Sequence, residues 1–363
     1  MKILVGNNHL QRTGGTENYT FALAVELQRL GHEVEYFAFE RGEVAERLEE
    51  LGVHFMSQDS YDLILVNHNT VVERLCTYGF IIQTCHGVFP ALEQPSPLAD
   101  RHVSVTPEIK DHLDSLGVES GVLYNGIDCT RFAPYTPISP RLTTVLSLSQ
   151  SDDLNRFLNR CCRKMNIKFL SCNKFTDNVW EIEKKINEAD LVVGIGRSVY
   201  DAMACGRCVI SFDCRRYMKM AIGDGYLNKD NFNTAIYHNC SGRGLRKTFT
   251  KKEFIQELKK YNPEDGVWAR EYALENLNMA HSAKYYLSLF EEYYECQHDA
   301  EKALLQKTRL MSNILAGKLD VINSLQNDIL RLAKKKRKYL NIIKIIGILL
   351  AVLLVFFFVM LFA

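Results

Sequence analysis

The 363-residue chain has almost no net charge, with 44 basic residues against 43 acidic ones. That balance excludes the broad positive field with which nucleic-acid binders gather phosphates, and no nucleic-acid recognition motif is present, so no nucleic-acid partner is expected. No Asp-x-Asp triplet occurs, and Cys205-x-x-Cys208 has no second Cys/His pair at ligand spacing nearby. A metal site therefore has no support in the spacing, and none is expected. The eleven cysteines are odd in number, scattered and often set in apolar runs. This is the usage of buried thiols in a reducing compartment, not a disulfide framework. Proline is scarce at 8 residues, yet Pro134, Pro137 and Pro140 punctuate one short stretch, which marks a connector between domains. Strand-like Lys2-Ile-Leu-Val-Gly6 opens the chain, so no leader is expected before the fold.

What is present is a 47% apolar chain, enough to bury a large core, with apolar runs alternating with helical patterns. Residues 189 to 213 are the clearest case. Leu191, Val192 and Val193 break at Gly194-Ile195-Gly196, good helix formers follow from Arg197 to Ala204, and a second apolar run covers 209 to 212. That is strand, turn, helix, strand, the unit of a parallel α/β sheet, and its helix aims free N–H groups at the turn, where an anion fits. Ser198-Val-Tyr-Asp201 also has capping-box spacing, so Asp201 reads equally as a helix cap.

The same grammar runs through the rest. A strand at 2 to 6, a loop holding Gly14-Gly15, a helix at 17 to 30 and a strand at 34 to 39 open a βαβ unit. Strands are expected at 53 to 56, 63 to 66, 80 to 83 and 102 to 105, with helices around 43 to 51, 71 to 78 and 107 to 116. His86 ends one of those strands, at the edge where open α/β sheets bind ligands, or else bonds a neighbouring loop. Beyond the connector, strands at 145 to 148 and 167 to 170 and helices at 152 to 165 and 179 to 187 precede the central stretch. Arg215, Arg216 and Arg243 read as phosphate contacts or as solvated surface. Helices follow at 251 to 261 and 267 to 294.

The end of the chain differs. Leu304, Thr308, Met311, Leu315, Lys318, Ile322, Leu325, Ile329 and Leu332 recur at steps of four and three, a coiled-coil seam that would make a homodimer. From Ile345 to Ala363 no charged or strongly polar residue occurs, a run long enough to span a bilayer, preceded by basic Lys334 to Lys338. The basic flank would stay cytosolic, with the body of the protein on the cytoplasmic side of the membrane.

Four motifs carry a family likeness: Gly14-Gly15-Thr-Glu17 with Leu-Gly-His-Glu-Val at 30 to 34, His86-Gly87, Tyr-Asn-Gly-Ile-Asp-x-x-Arg-Phe-x-Pro at 124 to 134, and Tyr-Asp-Ala-Met-Ala-Cys-Gly-Arg-Cys-Val-Ile at 200 to 210. On these the chain resembles the family 4 retaining glycosyltransferases of the GT-B fold over residues 1 to 295. The resemblance implies two Rossmann-like domains, at 1 to 137 and 141 to 275, with a closing helix at 276 to 297; the heptad spacing, basic run and apolar run beyond it add a helical basic stalk at 298 to 340 and a transmembrane helix at 342 to 363. It places Gly14 and Gly15 near the donor phosphates, His86 against the transferred sugar, Arg197, Ser198 and Val199 on the diphosphate, and Asp201 on the nucleotide ribose. The sequence departs from the family where Val193 stands for the first acidic residue, Asp201 for the second and Cys208 for a proline. For the basic pair that neutralises the leaving diphosphate, Arg156, Arg160 and Lys164 lie in the right region.

The expected activity is transfer of a sugar from a nucleotide sugar, UDP-linked in preference, to a lipid-linked or membrane-proximal glycan acceptor. That activity belongs to surface polysaccharide or glycolipid synthesis, with retention of configuration and no cofactor. Two alternatives remain at this stage: a catalytically silent membrane-tethered scaffold that dimerises through 304 to 332, and a sugar-nucleotide epimerase of the same fold.

Overall fold

In the computed structural model the alternating pattern becomes two largely parallel sheets wrapped by helices. The structure describes residues 1 to 362 except 174, 177–178, 215–219 and 296–299, and in the last helix the side chains at 300–304, 338, 341–343 and 345–362 also lie outside the description. Arg215 and Arg216, read above as phosphate candidates, fall outside the described residues.

The first lobe is built on β1 (Lys2–Leu10), β2 (Glu33–Arg41), β3 (His54–Phe55), β4 (Leu63–Val66), β5 (Phe80–Cys85), β6 (Arg101–Ser104) and β7 (Gly121–Val122). Their order is β3-β2-β1-β4-β5-β6-β7, every pairing parallel. Helices α1 (Gly15–Arg29), α2 (Glu43–Glu50), α3 (Asn69–Leu75) and α4 (Pro107–Ser115) cover it. All four residues of β4 are buried, as a strand covered on both faces requires. The strand order reverses direction between β1 and β4, which opens a crevice at their carboxyl ends. β1 runs four residues past the strand read from the sequence, because its pairing with β2 continues through His9↔Glu40 and Leu10↔Arg41. That leaves only a short loop ahead of α1.

The second lobe has β8 (Thr144–Ser147), β9 (Lys168–Ser171), β10 (Leu191–Gly194), β11 (Cys208–Asp213) and β12 (Ile222–Leu227), in the order β12-β11-β10-β8-β9. Only β12, an edge strand absent from the sequence reading, is antiparallel. Its helices are α5 (Asp152–Lys164), α6 (Ile182–Asn187), α7 (Arg197–Ala204), α8 (Phe232–Tyr237), α9 (Lys251–Leu258) and α10 (Pro263–Asn276). Here the reversal lies between β8 and β10, so the turn after β10 faces a crevice as well.

The single helix expected at 267 to 294 is two, α10 and α11 (Met279–Glu295). The break comes from a tertiary clamp: Ile127 N–H donates to the Leu277 carbonyl at 2.6 Å, and Met279 N–H to the Ile127 carbonyl at 2.9 Å. α11 thereby crosses back and packs Met279, Ala283 and Tyr286 into the core of the first lobe. The Tyr286 hydroxyl lies 2.7 Å from that of Tyr19 and 2.6 Å from Thr84 Oγ1, and Tyr293 stacks on Phe80 at 3.9 Å.

Residues from 300 onward form a separate unit, the 63-residue helix α12 (Ala300–Phe362). It continues through Gly317 without a break, and Leu315, Ile322, Leu325, Ile329 and Leu332 of the expected seam are exposed along it. Among the described residues no helix is long and apolar enough to cross a membrane. The apolar run read as a span, 345 to 363, lies beyond those described side chains.

Candidate active site

The two crevices face one another across a cleft of about 780 Å³. From the first lobe it receives Gly14, Gly15 and His86, and from the second Arg197, Ser198 and Asp201. Six of the seven residues named from the sequence thus converge from two sheets onto one cavity.

Each lobe turns a helix amino end to this space. α7 starts after Gly196, whose φ of +58° belongs to the left-handed region that only glycine enters without strain. Gly196 N–H is held by the Cys240 carbonyl at 3.1 Å, and a Cβ on Gly196 would sit 3.7 Å from the Asn239 carbonyl oxygen. Opposite, Gly14 precedes α1, and a Cβ there would run into the Glu17 carboxylate. Amino ends of helices carry unsatisfied N–H groups and partial positive charge, which suit an anion.

Two expectations change. The capping box does not form: the N-cap is Gly196, two residues ahead of Ser198, and makes no side-chain cap, so Ser198 is already inside the helix. Val199 is not brought to the cleft. Its side chain is fully buried in the second-lobe core and its N–H already donates to the Gly196 carbonyl at 2.9 Å.

Asp201 is buried, with Oδ1 3.4 Å from Arg197 Nε. The two atoms are close enough for an ion pair, but neither makes a hydrogen bond. Burial pushes the Asp201 carboxyl up to about 6, against the pull of the Arg197 cation. Arg197 also donates from Nη1 to the Gly126 carbonyl at 3.2 Å, which ties the guanidinium to the linker between lobes. A buried charged pair short of hydrogen-bond partners is a site waiting for polar groups.

His86 is fixed by a relay. The Asn67 amide donates to Thr20 Oγ1 at 2.7 Å, leaving its carbonyl oxygen to accept from His86 Nε2 at 2.9 Å. Tyr19 packs edge-on against the imidazole at 5.1 Å. Burial lowers the His86 pKa to about 3, with neighbouring His68 acting in the same direction, so the ring is neutral at pH 7.

Arg156, Arg160 and Lys164 all lie on α5 and none lines the cleft, so they do not form the basic pair sought in the sequence. Among the described residues, the arginines and lysines that line it are Arg197 and Arg243. Arg243 stands in a bridge between lobes: it donates to the Glu108 carboxylate of α4, which also pairs with His238 Nδ1 at 2.9 Å. On another face Trp180 of the second lobe meets Phe21 edge-on at 4.9 Å and lies under the Arg47 guanidinium at 4.4 Å. Val193, where the family has an acidic residue, is wholly buried in β10. Cys205 and Cys208 are buried too, Cys208 Sγ lying 3.2 Å from the Asn262 carbonyl, and both are free thiols.

Sequence reasoning missed Glu93 and Asn239. A second cavity of about 550 Å³ adjoins the first, and both are lined by Gly15, His86, Pro90, Glu93, Arg197 and Asn239. Asn239 and Cys240 hold positive φ values of 57° and 45°, in the turn that accepts from Gly196. Such strain in non-glycine residues collects at functional sites. Glu93 has no periodic signal because it sits in a 3-10 turn (Ala91–Glu93).

No family model matches the chain, and no curated protein matches it. Solved structures do. Anabaena Alr3699/HepE, determined in complex with UDP and glucose, is 12% identical with a TM-score of 0.50, over 78% of this chain and 99% of that one. Acinetobacter baumannii MurG is 12% identical with a TM-score of 0.47 over 80% and 99%. An alpha-glucosyltransferase in complex with UDP and a 13-mer DNA is 9% identical with a TM-score of 0.49 over 80% and 99%. At such identities the likeness to HepE shows the fold alone: the chain shares a two-lobed α/β architecture with a protein that holds UDP and glucose.

Proposed function

We propose that the chain is a glycosyltransferase that moves a sugar from a UDP-linked donor to a lipid-linked or membrane-proximal glycan acceptor. The observation that carries this is the cleft itself, where the α7 amino end with Arg197 and Asp201 faces Gly14, Gly15 and His86 of the other lobe. In this reading the α7 N–H groups and Arg197 take the diphosphate, Asp201 takes the ribose and His86 touches the sugar. Breaking the bond to a diphosphate requires stabilising the charge that departs, which oriented amides and a guanidinium supply. No metal or cofactor is called on, and retention of configuration is carried over from the family resemblance. The fold match to a UDP and glucose complex supports the donor class.

The run 345 to 363, with its basic flank, would anchor the protein with its lobes on the cytoplasmic side. Holding enzyme and acceptor at one surface raises their effective concentration, which favours a lipid-borne acceptor. The exposed apolar seam on α12 supports a dimer through 304 to 332, and also favours the second reading, a silent tethered scaffold. Hydrolysis and transfer assays with a panel of UDP- and GDP-sugars separate the two. An enzyme cleaves at least one of them and His86→Ala lowers turnover more than donor affinity, whereas a scaffold binds and cleaves none.

A further inference from the structure

Two carboxylates line the larger cavity, Asp201 and Glu93. Asp201 is engaged by Arg197, whereas among the described residues no hydrogen bond or ion pair reaches the Glu93 carboxylate. Glu93 also lines the second cavity beside His86, so it stands where the two spaces meet. A sugar offers hydroxyl donors, and a carboxylate with free lone pairs accepts them in charge-assisted bonds.

Its loop is held as a site would be. Gln94 donates to the Val88 carbonyl at 3.2 Å and to that of Pro90 at 3.1 Å, and its Oε1 lies 2.7 Å from His112 Nε2. Gln83 donates to the Gln94 carbonyl at 2.9 Å and Asn69 to the Ala91 carbonyl at 2.8 Å. Gly87, next to His86, leaves room for the side chain: a Cβ there would lie 2.5 Å from Glu93 Oε2. Resting on the glycosyltransferase reading, we propose that Glu93 is a sugar-recognition residue, whose carboxylate accepts hydrogen bonds from the hydroxyls of the transferred sugar at the junction of the two cavities.

Burial, reinforced by Glu17, raises the Glu93 carboxyl to about 7. Facing the same space are Glu17 from α1, His9 from β1, His68 ahead of α3, His86 and Arg197, with Asp201 and Arg243 farther along the cleft. His68 and His86 stay neutral down to about 4 and 3, so neither titrates near Glu93. Sugar-dependent binding therefore strengthens as pH rises through 7.

The test uses full-length protein in detergent, titrated with UDP and with the UDP-sugar that the wild type cleaves. Glu93→Gln is expected to leave UDP affinity within about twofold, to weaken the UDP-sugar by about 10- to 100-fold, and to abolish the pH dependence near 7. Gly87→Ala, which displaces the carboxylate without removing it, should reproduce the sugar defect. Variants that bind and hydrolyse the UDP-sugar as the wild type does overturn the assignment of Glu93 while leaving the donor reading intact. A wild type that binds neither UDP nor any UDP-sugar overturns both.

Discussion

Asp201 and Arg197 illustrate how a residue's partners, not its neighbours in sequence, decide its role. Ser198 and Asp201 have capping spacing, yet the helix starts at Arg197 after Gly196, whose positive φ suits glycine, so Ser198 lies inside the helix and Asp201 is not its cap. Asp201→Asn is expected to raise the dissociation constant for UDP by about tenfold, measured calorimetrically; unchanged affinity would remove the ribose contact. His68 gives a pH test of burial. Its pKa is lowered from 6.5 to about 4 by burial, so between those values the unfolded chain binds a proton that the folded chain does not. The stability that neutral His68 contributes is full above about pH 6.5 and is lost as pH falls toward 4. The melting-temperature advantage of wild type over His68→Gln should therefore shrink from pH 7.5 to 5, and a constant gap would contradict the buried neutral ring. Glu93 was invisible beforehand because a loop carboxylate carries no periodicity, and only the meeting of two cavities picks it out.

At the scale of elements, the parts legible in the sequence are those written in local pattern. β1, α1 and β2 follow from apolar runs and a glycine stop, and β10, α7 and β11 from the same grammar. The parts that were not legible depend on contacts distant in the chain. The split between α10 and α11 is imposed by Ile127, far upstream, through paired backbone bonds that no helical periodicity records. α8 and β12 lie in a stretch to which the sequence pattern assigned no element, and β12 is an edge strand made by pairing with β11. The return of α11 to the first lobe rests on Tyr286, whose hydroxyl meets Tyr19 and Thr84 in a buried cluster. Tyr286→Phe should cost about 1 kcal/mol by denaturant titration, since it strips a partner from two buried hydroxyls at once. A variant as stable as wild type would show that packing alone docks the helix.

For the molecule as a whole, the cleft is lined by residues of both lobes. α11 and the Ile127 clamp tie them together behind the cleft, while Arg243–Glu108 and Trp180 with Phe21 and Arg47 connect them at its margins. These polar and aromatic contacts are individually weak enough to exchange. The membrane reading belongs to this scale as well. Removal of residues 341 to 363 is expected to shift the protein from the membrane pellet to the supernatant, and continued pelleting would point to the basic stretch at 334 to 338 instead. Whether the α7 amino end and Arg197 form the proposed pyrophosphate pocket is decided by calorimetric titration of the full chain with UDP and with uridine. UDP is expected to bind at least about 100-fold more tightly than uridine, and Arg197→Ala to remove most of that difference. Equal affinity for the two, or a UDP preference that Arg197→Ala leaves untouched, would contradict that pocket.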